Sequence, residues 1–302
     1  MNAVEIQGVS KSFGHHQAVQ SLDLAVPEGS IYGFIGPNGS GKTTTIRMIL
    51  HIILPDAGTI RVMGQRATRA SNDRIGYLPE ERGLYKKMTV SRLLRYYGAM
   101  KQMPPVDAKE QARVWLKRMG LWDWRNKKIE ALSKGMAQKV QFIATVISRP
   151  KLVILDEPFS GLDPVNLDVI REAIVMLKGE GTTVIFSTHD MEMAERMCDS
   201  IFMINRGKKV LDGTLQEIQQ AYGEDTIRLS GSGDRHRLQR MIGVEGVRDF
   251  GQYQEIRFSG SAQALLKELV GAMEIQSFVV TKPSLHDIFV RIASPKDVEH
   301  HE

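Results

Sequence analysis

Gly36-Pro37-Asn38-Gly39-Ser40-Gly41-Lys42-Thr43, with Thr44 next, fills every fixed position of the phosphate-loop spacing G-x-x-x-x-G-K-[ST]. An apolar run, Ile31 to Ile35, leads into it, and residues 42–53 read as a helix that starts directly after the loop. The glycines let the backbone fold tightly, so that successive N–H groups converge on phosphate oxygens at the positive end of a helix. Lys42 offers a mobile ammonium to the outer phosphates, and the Thr43 hydroxyl can ligate Mg²⁺. A glycine-rich turn with no ligand is the competing reading. It does not account for the agreement of loop, strand and helix.

Downstream, Leu152-Val153-Ile154-Leu155 reads as a buried strand, and Asp156-Glu157 stands at its carboxyl end. Asp156 is placed to hold Mg²⁺ directly or through water. Glu157 is placed to polarise a water for in-line attack on a γ-phosphate. Two acids that merely end a strand at the solvent edge would look the same in isolation. Here they follow Lys42 by 156 − 42 = 114 residues, in a chain whose strands alternate with helices.

That alternation predicts a mostly parallel sheet with helices on its faces, an α/β fold of the P-loop NTPase kind. Strands are expected at about 3–9, 20–26 and 30–35, and a helical subdomain at about 89–150, interrupted at Met103-Pro104-Pro105. A helix over 165–178, a strand over 182–186 and a hairpin across Asn205-Arg206-Gly207-Lys208 complete the first domain. Thr214-Leu215-Gln216-Glu217 opens a short helix by a capping box, and the domain boundary is expected at its end, giving domains of 1–222 and 223–293. The second domain reads βαββαβ, a small α+β ferredoxin-like unit whose first helix spans 234–241. Ser284 caps a last helix, and 294–302 is expected to be a frayed tail.

Composition bounds the rest. The 302 residues include 42% hydrophobic and 25% charged residues, which excludes wholesale disorder and collagen-like or low-complexity architectures. The net charge of +5 suits an anionic surface but is too diffuse to imply nucleic acid as a partner. The single cysteine, Cys198, allows no intramolecular disulfide, fits a reducing compartment and is expected to be a packed thiol. No stretch reaches the roughly 18 apolar residues of a membrane helix, and the amino terminus lacks a secretory pattern. The expectation is a cytoplasmic protein, peripheral on the inner face of the cell membrane. Trp122 and Trp124 are read as core of the helical subdomain, and Arg125, Lys127 and Lys128 as a solvated face. His15, His16, His300 and His301 are read as surface residues rather than metal ligands.

Leu132-Ser133-Lys134-Gly135-Met136-Ala137-Gln138 resembles the signature sequence of ATP-binding cassette (ABC) proteins. Other segments agree in order and spacing. Phe13 lies where that family stacks an aromatic on adenine, although a plain core aromatic is the other reading. Gly76-Tyr77-Leu78-Pro79-Glu80 looks like the Q-loop, Ser160-Gly161-Leu162-Asp163 like the D-loop, and His189 like the switch histidine. The resemblance spans about residues 3–215. It implies two cassettes paired head to tail, with each ATP between one chain's Gly36–Thr43 and the other's Ser133, Lys134 and Gly135. It gives Asp163 a part in communication between sites and His189 a hold on the γ-phosphate.

The carboxyl-terminal domain and the segment Leu78 to Tyr85 are similar to the sodium- and drug-export branch with type-2 permeases. That implies an ATP-hydrolysing exporter subunit, partnered by a second such subunit (a homodimer being sufficient) and by an integral-membrane permease. Arg82, Leu84 and Tyr85 are then expected to meet the permease. A soluble ATP-dependent dimerisation switch without transport is the alternative. Two positions depart from the family pattern: Glu80 stands where the Q-loop carries glutamine, and Lys134 where the signature carries glycine. Glu80 is accordingly counted among the catalytic and Mg²⁺-binding residues.

Overall fold

The structure is a computed structural model that describes residues 1–81, 83–222, 226–233, 238 and 240–293. In chain order the elements of the first compact unit, residues 1–214, begin with β1 (Asn2–Phe13), β2 (His16–Pro27), β3 (Ile31–Ile35), α1 (Lys42–Ile49), β4 (Ala57–Val62), β5 (Gln65–Arg66) and β6 (Ile75–Leu78). There follow α2 (Val90–Met100), α3 (Pro105–Arg118), α4 (Lys134–Val146), β7 (Leu152–Asp156), α5 (Pro164–Gly179), β8 (Thr183–Thr188), α6 (Met191–Met197), β9 (Ser200–Asn205) and β10 (Lys208–Gly213).

Six strands form the central sheet in the order β10-β9-β3-β8-β7-β6. All neighbours in it are parallel except the edge hairpin β9–β10. β3, β7 and β8 are buried along their whole length, as continuous apolar runs covered on both faces must be. Successive side chains therefore feed two cores. Val153, Leu155, Val184 and Phe186 pack with α2, α3, α4 and α5. Leu152, Ile154, Ile185 and Phe34 pack with α1 and with an antiparallel sheet of order β2-β1-β4-β5.

Two local differences from the sequence reading have physical causes. The helix read over 42–53 stops at Ile49, because Leu50 leaves helical geometry and His51 takes a left-handed φ of 53°. β6 is an edge strand of four residues, too short to show a period. The helical subdomain is interrupted where expected: Pro105 occupies the first turn of α3, and Trp115 of that helix meets Phe142 of α4 edge-on at 5.9 Å. Trp122 packs partly against this core, whereas Trp124 is 37% exposed and is not part of it.

The second unit starts at Leu215, so α7 (Leu215–Ala221) belongs to it. The expected boundary after 222 lies at the end of this helix and the observed one at its start. β11 (Thr226–Gly233), β12 (Val244–Asp249), β13 (Gln254–Phe258), α8 (Ala262–Val270), β14 (Met273–Thr281) and α9 (Leu285–Ala293) complete the described chain. The antiparallel sheet order β12-β13-β11-β14 is the ferredoxin-like arrangement. Its core is Ile227, Leu229, Ile256, Phe258, Leu265 and Leu269. The helix expected over 234–241 falls largely on 234–237 and 239, and the tail on 294–302, outside the described residues.

Candidate nucleotide site

The loop between β3 and α1 needs its glycines for space as well as for conformation. Gly36 has φ 153°, and a Cβ there would lie 2.2 Å from the Ile204 carbonyl oxygen. Gly41, at φ 112°, would bring a Cβ within 2.6 Å of the Ala18 carbonyl oxygen. The Lys42 side chain is buried to 6% exposure, and its Nζ donates to the carbonyls of Gly36 at 2.6 Å and Pro37 at 3.1 Å. Burial pushes its pKa down, against the carboxylates of Glu157, Asp156 and Glu80, which favour the ammonium. Gly41 caps α1 through no side chain, so the first N–H groups of the helix are available to a ligand.

At the far end of β7, Asp156 is buried to 2% exposure. Its Oδ1 accepts from Ser187 Oγ, while its buried Oδ2 has no hydrogen-bond partner. Glu157 has φ 49°, a left-handed conformation uncommon outside glycine. Its backbone N–H is held by the Ser187 carbonyl at 3.2 Å and the Ser187 hydroxyl at 3.1 Å. The carboxylate is thereby turned so that Oε1 lies 3.0 Å from His189 Nδ1. Ser187 thus fixes both acids at once. The sequence reading does not include it. A pairing partner for β7, with its hydroxyl at the level of Asp156, was the available signal: Asp156 and Ser187 are register partners.

A cleft of about 330 Å³ gathers Asn38 to Thr44 with Phe13, Glu80, Asp156 and Glu157. Phe13 is half exposed, with Lys11 Nζ 5.6 Å from its ring centroid, which is the setting of a surface platform and not of a core aromatic. His16, read as a plain surface residue, also lines this cleft. Ser133, Lys134, Gly135 and Asp163 do not. Ser133 caps α4, its Oγ accepting from the Met136 N–H at 3.3 Å. Lys134 reaches over the D-loop, its Nζ 2.8 Å from where a Cβ on Gly161 would stand. Asp163 caps α5 through the Asn166 N–H at 3.0 Å, and hydrogen bonds from Asn166 hold its carboxyl below the usual range.

The donor set fits Mg²⁺. The unpartnered Asp156 Oδ2 supplies one buried oxygen, and Thr43 and Glu80 line the same cleft. Among the described residues no cluster of three or more His, Cys, Asp or Glu forms a complete cage.

Comparison with known proteins agrees with this geometry. Residues 19–160 match the family described as "ABC transporter", and residues 213–293 match "ATP-binding protein DrrA1-3-like, C-terminal domain". The chain is 40% identical over 287 residues to the uncharacterized ABC transporter ATP-binding protein YhaQ of Bacillus subtilis, covering 94% of this chain and 96% of that one. It is 30% identical over 303 residues to the daunorubicin/doxorubicin resistance ATP-binding protein DrrA of Streptomyces peucetius, covering 96% and 92%. A solved structure described as the ATP-binding subunit of an ABC transporter superposes with a TM-score of 0.69 at 29% identity, covering 73% of this chain and 93% of that chain. Among the described residues no helix is long and apolar enough to cross a membrane.

Proposed function

Because this chain belongs to the ATP-binding proteins of ABC transporters, and is an ATPase, we propose that it powers an exporter by head-to-tail pairing with a second copy beneath a separate membrane permease. The observation that carries the pairing is the division of the phosphate-binding groups. One set shares a cleft with Asp156 and Glu157, while Ser133 to Gly135 lie outside it. A second chain would bring its own Ser133 to Gly135 to that cleft, so a homodimer would contain two complete sites. The carboxyl-terminal match to DrrA-like proteins supports the export branch.

In this reading ATP lies on the Gly36–Thr44 loop with Phe13 against its base. Lys42 meets the outer phosphates, giving up the loop carbonyls it now holds. Glu157 orients the attacking water and takes its proton as the new O–P bond forms, the bond between the γ-phosphorus and the bridging oxygen breaks, and the leaving charge falls on the β-phosphate of ADP. His189, bonded to Glu157, keeps that carboxylate aimed and contacts the γ-phosphate. Asp156, Thr43 and Glu80 would hold Mg²⁺, whose chemistry here is neutralisation of phosphate charge.

A groove beside the Q-loop is the candidate permease contact. It runs between Tyr77, Pro79 and Glu81 on one side and Tyr97 and Met100 of α2 on the other, with a volume of about 520 Å³. Tyr85 is exposed nearby, while Leu84 packs partly into the core. Arg82 lies outside the described residues.

The test is a tagged Glu157→Gln chain, expressed in its native host and extracted in mild detergent with ATP. ATP binding should persist while turnover falls by about 10²–10⁴-fold, the usual share of a general base. Mass spectrometry should find a stoichiometric polytopic membrane protein. Recovery from the soluble fraction alone, with a soluble partner or none, would replace transport by a dimerisation switch.

A further inference from the structure

A second surface of the first unit carries charge that the nucleotide site does not use. The segment 86–91 runs antiparallel to 125–130, joined by N–H···O=C bonds from Ile129 to Met88 at 3.0 Å, Glu130 to Lys86 at 3.1 Å and Val90 to Lys127 at 3.0 Å. In this pairing Lys86 stands opposite Glu130, and Lys127 and Lys128 stand opposite Val90 and Thr89, so the four lysines are spread along one short two-stranded segment. Arg92 and Arg95 extend the group along the first turns of α2. All six cations are exposed. Among the described residues their only ion pair joins Lys128 to Glu130 at 3.5 Å.

Exposed aromatic rings border the same group. Tyr85 and Tyr96 meet edge-on at 5.6 Å, exposed by 52% and 37%. Trp124 stands out at 37%, next to the turn that carries Lys127. Long-stemmed cations mixed with amphipathic rings suit the boundary between lipid headgroups and acyl chains. An acidic protein groove would call for paired, directional arginine contacts, and four of the six cations here are lysines.

We propose that this patch docks the chain directly on an anionic phospholipid surface, independently of the permease. Each basic residue near such a surface adds to the attraction, and salt screens it. Six residues would then turn negligible affinity into measurable binding at low ionic strength. The inference rests on the reading of the chain as a membrane-peripheral subunit. It is tested without any permease, so the two can fail separately.

The purified full chain is sedimented with vesicles of phosphatidylcholine alone and with vesicles containing about 30% phosphatidylglycerol, a mixture of the anionic kind this argument requires. Binding is expected only to the anionic vesicles and should be lost at about 0.5 M salt, where charge is heavily screened. The triple variant Lys86→Glu, Lys87→Glu, Lys127→Glu should bind at least 30-fold more weakly, with ATPase activity retained as the check on folding. A charge-matched triple at the exposed Lys151, Lys208 and Lys267 should bind within about 3-fold of the parent. Equal binding to neutral vesicles, or equal losses in the two triples, would overturn the proposal. So would a lack of vesicle binding by the parent combined with loss of permease co-purification in the first triple, which would make the partner an acidic protein segment.

Discussion

Two helix amino termini of the first unit carry the groups assigned to phosphate, and they are provided for in different ways. α1 begins after Gly41 with no side-chain cap, beside a buried lysine and an unpartnered carboxylate oxygen on Asp156. α4 begins with Ser133, whose hydroxyl already satisfies the Met136 N–H, and the nucleotide cleft does not reach it. The first terminus leaves polar groups buried without partners, which costs stability until a ligand supplies them. The second is finished within its own chain. A serine hydroxyl that accepts one hydrogen bond still has its O–H to donate, so the cap leaves Ser133 free to approach a phosphate on another chain. An uncapped and an already capped terminus can be halves of one site without either half being strained by the other.

The strongest way to break this comparison is to damage one half and ask whether the other is spared. In Gly135→Val the new Cβ would stand 2.9 Å from Asn166 Nδ2, crowding the start of α4 away from any approaching phosphate. ATP binding by the isolated chain should stay within about 3-fold, while ATPase activity falls by about 100-fold, as when one preorganised donor is lost. Mixing it with a Lys42→Ala chain should restore activity, because the mixed pair holds one site with an intact loop and an intact signature. Activity of Gly135→Val at the parental rate, or no recovery on mixing, would show that each chain completes its own site.

A smaller effect is expected from inside the cleft. Ser187→Ala removes the hydroxyl that donates to Asp156 and supports the Glu157 N–H. Neither acid is deleted, but both lose their orientation, and such supporting groups typically carry about 10–100-fold in affinity or activity. A drop near the lower figure is expected, with the Mg²⁺ requirement raised in parallel. Ser187→Thr keeps the hydroxyl and should recover most of the loss. If Ser187→Ala alters thermal stability alone, the residue belongs to the packing of β8.

These effects also mark what was readable in the chain. The parallel order of β3, β7 and β8 was visible because residues buried on both faces of a sheet form unbroken apolar runs, and the loop because its glycines have no substitute at Gly36 and Gly41. Ser187 was not visible, since its role depends on the register between two strands and on the left-handed turn at Glu157. β6 was hidden by its length, and the end of α1 by a conformation at His51 that its residue type does not announce. Trp124 departs from the core reading because only Leu121 and, in part, Trp122 before it join that core, and the 3₁₀ turn over Trp122–Trp124 decides which ring faces outward.

The smallest expected effect separates the two regions by charge. Glu80, Asp156 and Glu157 share the cleft with Lys42, so three carboxylates face one ammonium there. At the start of α4 the charges are fewer and mixed: the cation of Lys134 lies over Gly161, and the Asp163 carboxylate accepts from the Asn166 amide that borders Gly135. Nucleotide entering without its metal should be repelled by Glu80, and nucleotide entering with Mg²⁺ should find an additional oxygen ligand. Glu80→Gln should therefore raise the Mg²⁺ concentration for half-maximal ATPase activity by about 5-fold, near the worth of one unit charge at roughly 4 Å in water. It should also tighten metal-free ATP by a similar factor, which equilibrium binding in a chelator would read. The opposed signs matter more than the sizes, because a merely structural Glu80 would weaken both, and an unchanged Mg²⁺ profile would remove Glu80 from the metal site.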